Sequence, residues 1–225
     1  MGSASTMADA LEGHDQEQIA LMEERLILLD EDDNAIGEES KKTCTSFLSF
    51  DGEHPAAAKR AAEKITFPSL WTNTCCSHPL AREDEMDLTD HIGVRRAAQR
   101  KLNHELGIDP AQIPISDFVY LTRIHYLAPS DGLWGEHEID YILFLTCDVD
   151  LNVNPNECSE VTWVSPAELK SMIADPNNHF TPWFKLIVDR FLFPWWNDLL
   201  DRSKDQRVNA HLIADAKDNV IHRMN

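Results

Sequence analysis

The chain has 225 residues, 43% of them hydrophobic, including six Trp and nine Phe; this suits one globular domain with a real core and excludes wholesale disorder. A net charge of −19 argues against a nucleic-acid backbone as partner, and no apolar run approaches the roughly 18–20 residues of a membrane span. Five cysteines, an odd number without a CxxC pair, and no basic-then-apolar opening predict free thiols in a cytoplasmic chain.

In chain order, residues 1–14 read as a disordered leader, an opening that also fits the myristoylation pattern. Gln16–Glu23 reads as a short helix. Arg25–Leu29 and Ala35–Gly37 form a hairpin around the turn residues Asp30–Asn34. Ser46–Phe50 reads as a strand, and Pro55 followed by Ala56–Lys64 as a short helix with Pro in its first turn. Val94–Leu106 is a helix stopped by Gly107. Phe118–Tyr126 and His137–Cys147 have strand patterning. Ser165-Pro166-Ala167-Glu168 opens another helix with a capping box. Pro182–Leu200 is an aromatic-rich helix with Pro194 as a point of interruption. This interleaving predicts an α/β fold with a mixed sheet.

Arg100-Lys101-Leu102-Asn103-His104-Glu105-Leu106-Gly107-Ile108 resembles the Nudix signature, a helix that holds divalent metals against a diphosphate. Arg100, Glu105 and Gly107-Ile108 match, while Lys101 and His104 replace two glutamates. Pyrophosphate hydrolysis needs clustered carboxylates, so the substitution suits gripping a diphosphate better than cutting one. An ordinary amphipathic helix with a polar face fits this stretch equally well.

Two further segments are unusual in composition, Thr72–Leu80 (TNTCCSHPL) and Trp134–Tyr141 (WGEHEIDY). Cys76 and His78 are two apart, as are Glu136 and Glu138, so on extended backbone each pair shares a face. Brought together, the imidazole and two carboxylates form a mixed N/O site for a divalent metal. Taken singly, each is better read as core, loop or solvent face. With Lys64–Pro68, Ile124-His125-Tyr126 and Thr181–Phe184, these blocks resemble the eukaryotic, fungal-like isopentenyl-diphosphate isomerases of type I in the Nudix superfamily, over roughly residues 15–44 and 59–200.

The resemblance implies a Nudix-type mixed sheet sandwiched between helices at 15–202, shortened at 45–59, with a 203–225 tail. It implies isomerisation of isopentenyl diphosphate to dimethylallyl diphosphate, a step toward sterol precursors, by protonation on one face of an alkene and deprotonation on the other. It assigns Cys76, Glu138, Tyr126 and Trp183 to catalysis, and Lys41, Arg60, Lys64 and Lys101 to the diphosphate. His78, Glu105, Glu136 and Glu138 become metal ligands, with Mg²⁺ on the diphosphate side and Zn²⁺ or Mn²⁺ at a second, weakened site. A monomer with a small-molecule partner and neither nucleic acid nor membrane is expected.

The chain also departs from the family. Cys44 is followed by Thr45 rather than His, and the stretch holding a second ligand histidine is missing, with His54 the one nearby substitute. An active isomerase with a reduced metal site and a catalytically impaired variant that binds only diphosphate or a partner both stand on the sequence.

Overall fold

The computed structural model of the chain describes residues 11–41, 50–51, 54–76, 78–130, 134–204 and 207–224. The leader up to residue 10, Cys44, strand positions 46–49 and the side chain of His54 lie outside the described residues. No helix among the described residues is long and apolar enough to cross a membrane.

Helix α1 (Gln16–Leu21) starts at Asp15, whose carboxylate accepts the backbone N–H groups of Glu17 and Gln18. Strands β1 (Arg25–Leu29) and β2 (Ala35–Ser40) form the expected antiparallel hairpin. Asp30 closes its turn by accepting from the Asn34 backbone at 2.9 Å.

The expected helix at Ala56–Lys64 is instead a strand. Short β3 (Phe50–Asp51) pairs with β4 (His54–Arg60), which also pairs antiparallel with β5 (Trp71–Thr72) and β8 (Cys158–Trp163). Helix propensity of alanine amounts to only a few tenths of a kcal/mol per residue. Ala56, Ala57 and Ala58 are all buried in a crowded central strand where small side chains are what fits.

Helix α2 (Ile92–Leu106) buries Val94, Ala97, Ala98, Leu102 and Leu106, a stripe with helical spacing. Gly107 ends it with φ 66°, and the backbone N–H groups of Asn152 and Asn154 then cap the Leu106 and Glu105 carbonyls at 2.8 and 2.9 Å. That contact carries the chain directly to Glu157.

Strands β6 (Val119–Pro129) and β7 (Gly135–Phe144) form a long antiparallel hairpin through the middle of the molecule. One face, with Ile124, Tyr126 and Ile142, meets Trp183, Ile187 and Trp196. The other, with Tyr120, Ile139 and Leu143, meets the α2 stripe. Both faces being covered explains why the sequence there runs nearly continuously apolar. A bulge between Tyr120 and Thr122 resets the alternation.

Ser165 and Glu168 exchange the expected capping-box bonds at the start of α3 (Pro166–Ala174). The aromatic helix is broken as expected near Pro194. Helix α4 (Pro182–Ile187) runs through a π turn at Val188–Leu192 into α5 (Phe193–Arg202). Proline lacks the N–H for a normal helical bond, and the widened turn absorbs that loss. The stretch read as a tail places Ala210 and Ile213 in the core, and β9 (Ile221–Arg223) runs parallel to β6. The β7–β6–β9 sheet is therefore mixed.

Replacing Gly107 with Ala should destabilise the fold by about 2 kcal/mol or more, because an added Cβ meets the Asn152 carbonyl oxygen at 2.1 Å on a left-handed backbone. Urea unfolding checks this, and an unchanged midpoint would contradict the packing described.

Candidate active site

One cavity gathers Lys41, Arg60, Lys64, Lys101, Cys76, His78 and Glu136, with Gln18 and Thr66 among its other lining residues. These side chains come from β2's end, β4, the loop after it, the loop after β5, α2 and β7. Tyr126, Glu138 and Trp183 stand directly behind this wall.

The cysteine pair divides its work. Cys75 is 2% exposed and part of the α2 core, while Cys76 is partly exposed and faces the cavity. Burial raises the Cys76 thiol above its ordinary value and the Arg60 charge pulls it back down. The thiol therefore holds its proton. It donates to Asn73 Oδ1 at 3.3 Å and touches Thr72 Oγ1 at 3.5 Å. The same Asn73 oxygen accepts from the Thr72 hydroxyl at 2.9 Å and from the fully buried Trp183 indole at 3.0 Å. One amide oxygen thus fixes the thiol and the indole relative to each other.

Trp183 lies 6.0 Å from the Tyr126 ring and 5.0 Å, edge-on, from Phe67. The Arg60 guanidinium sits 5.7 Å from its centroid, so this ring face already holds a cation. Arg60 Nε donates to the Phe67 carbonyl and Nη2 to that of Thr66. Those bonds hold a strained turn in which Phe67 and Ser69 have φ of 47° and 60°.

The Tyr126 hydroxyl donates to Glu138 Oε2 at 2.9 Å and to Glu136 Oε2 at 3.3 Å. Burial, reinforced by Asp140, Glu138 and Glu136, raises the phenol well above its usual range. Glu136 also accepts from Thr66 at 3.0 Å, and burial raises its carboxyl. His78 Nε2 is 3.6 Å from Glu138 Oε1. Burial and the nearby lysines hold His78 well below the ordinary imidazole range, so this contact is between a neutral ring and a carboxylate rather than an ion pair.

Among the described residues no three acidic, His or Cys side chains converge on a single point as they stand, the Tyr126 hydroxyl lying between the two glutamates. The chemistry of the donors nevertheless fits a divalent ion: a neutral imidazole, as coordination requires, beside two buried carboxylates. Glu105 stands apart from them, paired with Lys101 at 3.2 Å.

Several organising residues escaped sequence reading. Glu157, with its side chain fully buried, binds Lys64 at 2.8 Å, Lys101 at 3.3 Å and Gln18 at 2.7 Å. These partners hold its carboxyl far below the usual carboxylate range despite the burial, and the Glu157 and Glu105 charges raise Lys101. Lys41 is pushed down to about 8 by burial, with Lys101 and Lys64 adding repulsion. Glu85, also buried, binds Arg100 at 2.7 Å and the Leu80 N–H at 2.7 Å, while Arg100 donates to the His78 carbonyl at 2.9 Å. The signature arginine thereby ties the His78 loop to α2. Only the Asn73 signal, inside TNTCCSHP, lay within a segment already conspicuous in sequence.

The fold and site together define a Nudix protein: the NUDIX domain family matches residues 50–184. A Deinococcus radiodurans protein, DR0079, shares the fold with TM-score 0.52 at 17% identity, covering 75% of this chain and all of that one. Within that superfamily the chain belongs to the isopentenyl-diphosphate delta-isomerases. It is 50% identical to the Phaffia rhodozyma isomerase over 96% of this chain and 93% of that protein. It is 52% identical to the Gibberella zeae isomerase over 92% and 89%, and 42% to the Camptotheca acuminata isomerase I over the full length of both. The Phaffia alignment runs over 234 positions, more than the 225 residues of this chain, so that relative carries residues this chain lacks.

Iodoacetamide should label Cys76 with a pH midpoint above the usual thiol value, and leave Cys75 unmodified until the protein unfolds. Peptide mapping checks this; equal labelling of both at neutral pH would contradict the environment described.

Proposed function

We propose that the chain interconverts isopentenyl diphosphate and dimethylallyl diphosphate, a step toward sterol and other isoprenoid precursors. The observation that carries this reading is the convergence, in a chain of net charge −19, of Lys41, Arg60, Lys64 and Lys101 on the cavity that also holds Cys76 and Glu136. A diphosphate entering there meets a local positive field that offsets the global repulsion.

With the diphosphate on these cations, the hydrocarbon end faces Cys76, with the buried Trp183–Tyr126–Phe67 aromatic group behind it. An alkene is a weak base, so protonating it builds positive charge on a tertiary carbon. The Trp183 face, which accepts the Arg60 guanidinium in the free protein, supplies a cation–π contact of about 2 kcal/mol when desolvated. The Cys76 thiol is kept protonated by burial, and the Tyr126 hydroxyl shares its proton with Glu138. One of these groups delivers a proton to the terminal alkene carbon, the tertiary carbon beside it takes up the positive charge, and the other group removes a proton from the methylene on that carbon's opposite side. The double bond shifts with no net change in oxidation state.

A divalent ion fits this scheme at two places. His78, Glu136 and Glu138 would hold one, Zn²⁺ or Mn²⁺, and Glu105 would anchor Mg²⁺ toward the diphosphate. Such ions would supply charge neutralisation for the buried carboxylates and the diphosphate oxygens. Lys101 and His104, where hydrolases of the superfamily pattern carry glutamates, count against pyrophosphate cleavage. No feature of the assembled site favours the impaired variant over an active enzyme. A cytoplasmic monomer acting on a small soluble substrate completes the reading.

Cys76→Ser and Glu138→Gln should each lower kcat by about 10²–10⁴-fold with isopentenyl diphosphate and Mg²⁺, followed as dimethylallyl diphosphate formed. Product no greater from the wild-type chain than from Cys76→Ser would overturn the isomerase, and release of phosphate or pyrophosphate would replace it with a hydrolase. Because Lys41 titrates at about 8 in the free protein, a bound anion must raise it by taking up a proton. The KM should therefore be lowest below pH 8 and climb above it, by up to about tenfold per pH unit, with Lys41→Met flattening the climb.

A further inference from the structure

Two conspicuous histidines have no part in the chemistry above. His125 lies in β6 between buried Ile124 and Tyr126, and His137 in β7 between Glu136 and Glu138. Strand alternation therefore turns both rings to the sheet face opposite the catalytic pair. The register sets Leu127 across from His137 and His125 across from Ile139, so the two histidines are diagonal neighbours. Their rings stack with centroids 4.9 Å apart and an interplanar angle of 28°, and their Nε2 atoms are 2.8 Å apart, with the pair open to solvent.

We propose that His125 and His137 form a chelating surface site for a first-row divalent transition ion of the Zn²⁺, Ni²⁺ or Cu²⁺ kind. Metal–imidazole bonds of about 2.0–2.1 Å place two adjacent ligand nitrogens roughly 2.9–3.4 Å apart, so the pair needs only a small ring adjustment to replace the shared proton with a metal. Imidazole selects these ions over Mg²⁺. The charged groups nearby do not forbid a cation: Arg223, which lies opposite His125 in the register with β9, is bound to Glu31 at 2.8 Å and approaches Asp32 at 3.8 Å. The net charge of −19 draws cations to the surface generally. An ion held here ties β6 to β7 one residue away from Tyr126 and Glu138, and so stiffens the hairpin that carries the proton-transfer pair.

The test uses the full chain without an affinity tag, saturated with Mg²⁺ and dialysed against Ni²⁺. Wild type should retain one more Ni²⁺ per chain than either His125→Gln or His137→Gln, and should gain an EDTA-reversible rise in melting temperature that both variants lack. Equal Ni²⁺ content in all three proteins overturns the site, and so does a loss confined to one variant, because a chelate needs both rings. Circular dichroism establishes that the variants are folded. With Mg²⁺ alone both variants should keep wild-type isomerisation, so the metal site and the proposed reaction stand or fall separately.

Discussion

Lysine ammonium groups cannot crowd together in a protein interior without an anion between them, and Glu157 is that anion. Its fully buried carboxylate reaches Lys64 and Lys101, while Lys41, paired with Glu24 at 3.4 Å, adds repulsion to both lysines. Removing one partner from such a buried set costs about 3–5 kcal/mol, since the remaining charges are left uncompensated. The rest of the architecture serves this placement. Gly107 ends α2 where segment 152–154 can cap it, and that capping delivers Glu157 against Lys101.

The apolar half of the site depends on a different economy, one acceptor serving three donors. Asn73 Oδ1 takes the Thr72 hydroxyl, the Cys76 thiol and the Trp183 indole, so strand, loop and helix are fixed by a single atom. Rotamer freedom at the thiol is removed before any substrate arrives, which is the kind of preorganisation that lowers a barrier without new contacts. Arg60 bridges the two halves, lining the cavity while its guanidinium lies 5.7 Å from the Trp183 ring centroid.

Much of this was legible in the sequence for a physical reason. Helix α2, its glycine stop and the Ser165 cap are encoded by neighbours within one turn, and local rules read them. The alanine run at 56–58 was misread because its fate is decided by β5 and β8, distant in sequence. Asn73 to Trp183 and Lys64 to Glu157 are separated by 110 and 93 residues, so no window on the chain joins them. Glu157 in particular looks in sequence like any surface glutamate, yet it is 1% exposed. The π turn before Pro194 was foreseen as a break because proline's missing donor is a local fact.

The parallel pairing of β9 with β6 has a temporal side. Strand β6 carries Tyr126, and among the described residues its edge away from β7 is met by residues 221–223, with the Asp218 and Met224 N–H groups bonding the Leu121 and His125 carbonyls. During synthesis nearly a hundred further residues must leave the ribosome before that edge finds its partner. Until then the β6–β7 hairpin exposes unpaired backbone, the template on which chains stick to one another. Closing so distant a contact is slow on entropic grounds. Residues 221–223 are thus the ones whose arrival ends this hairpin's vulnerable period.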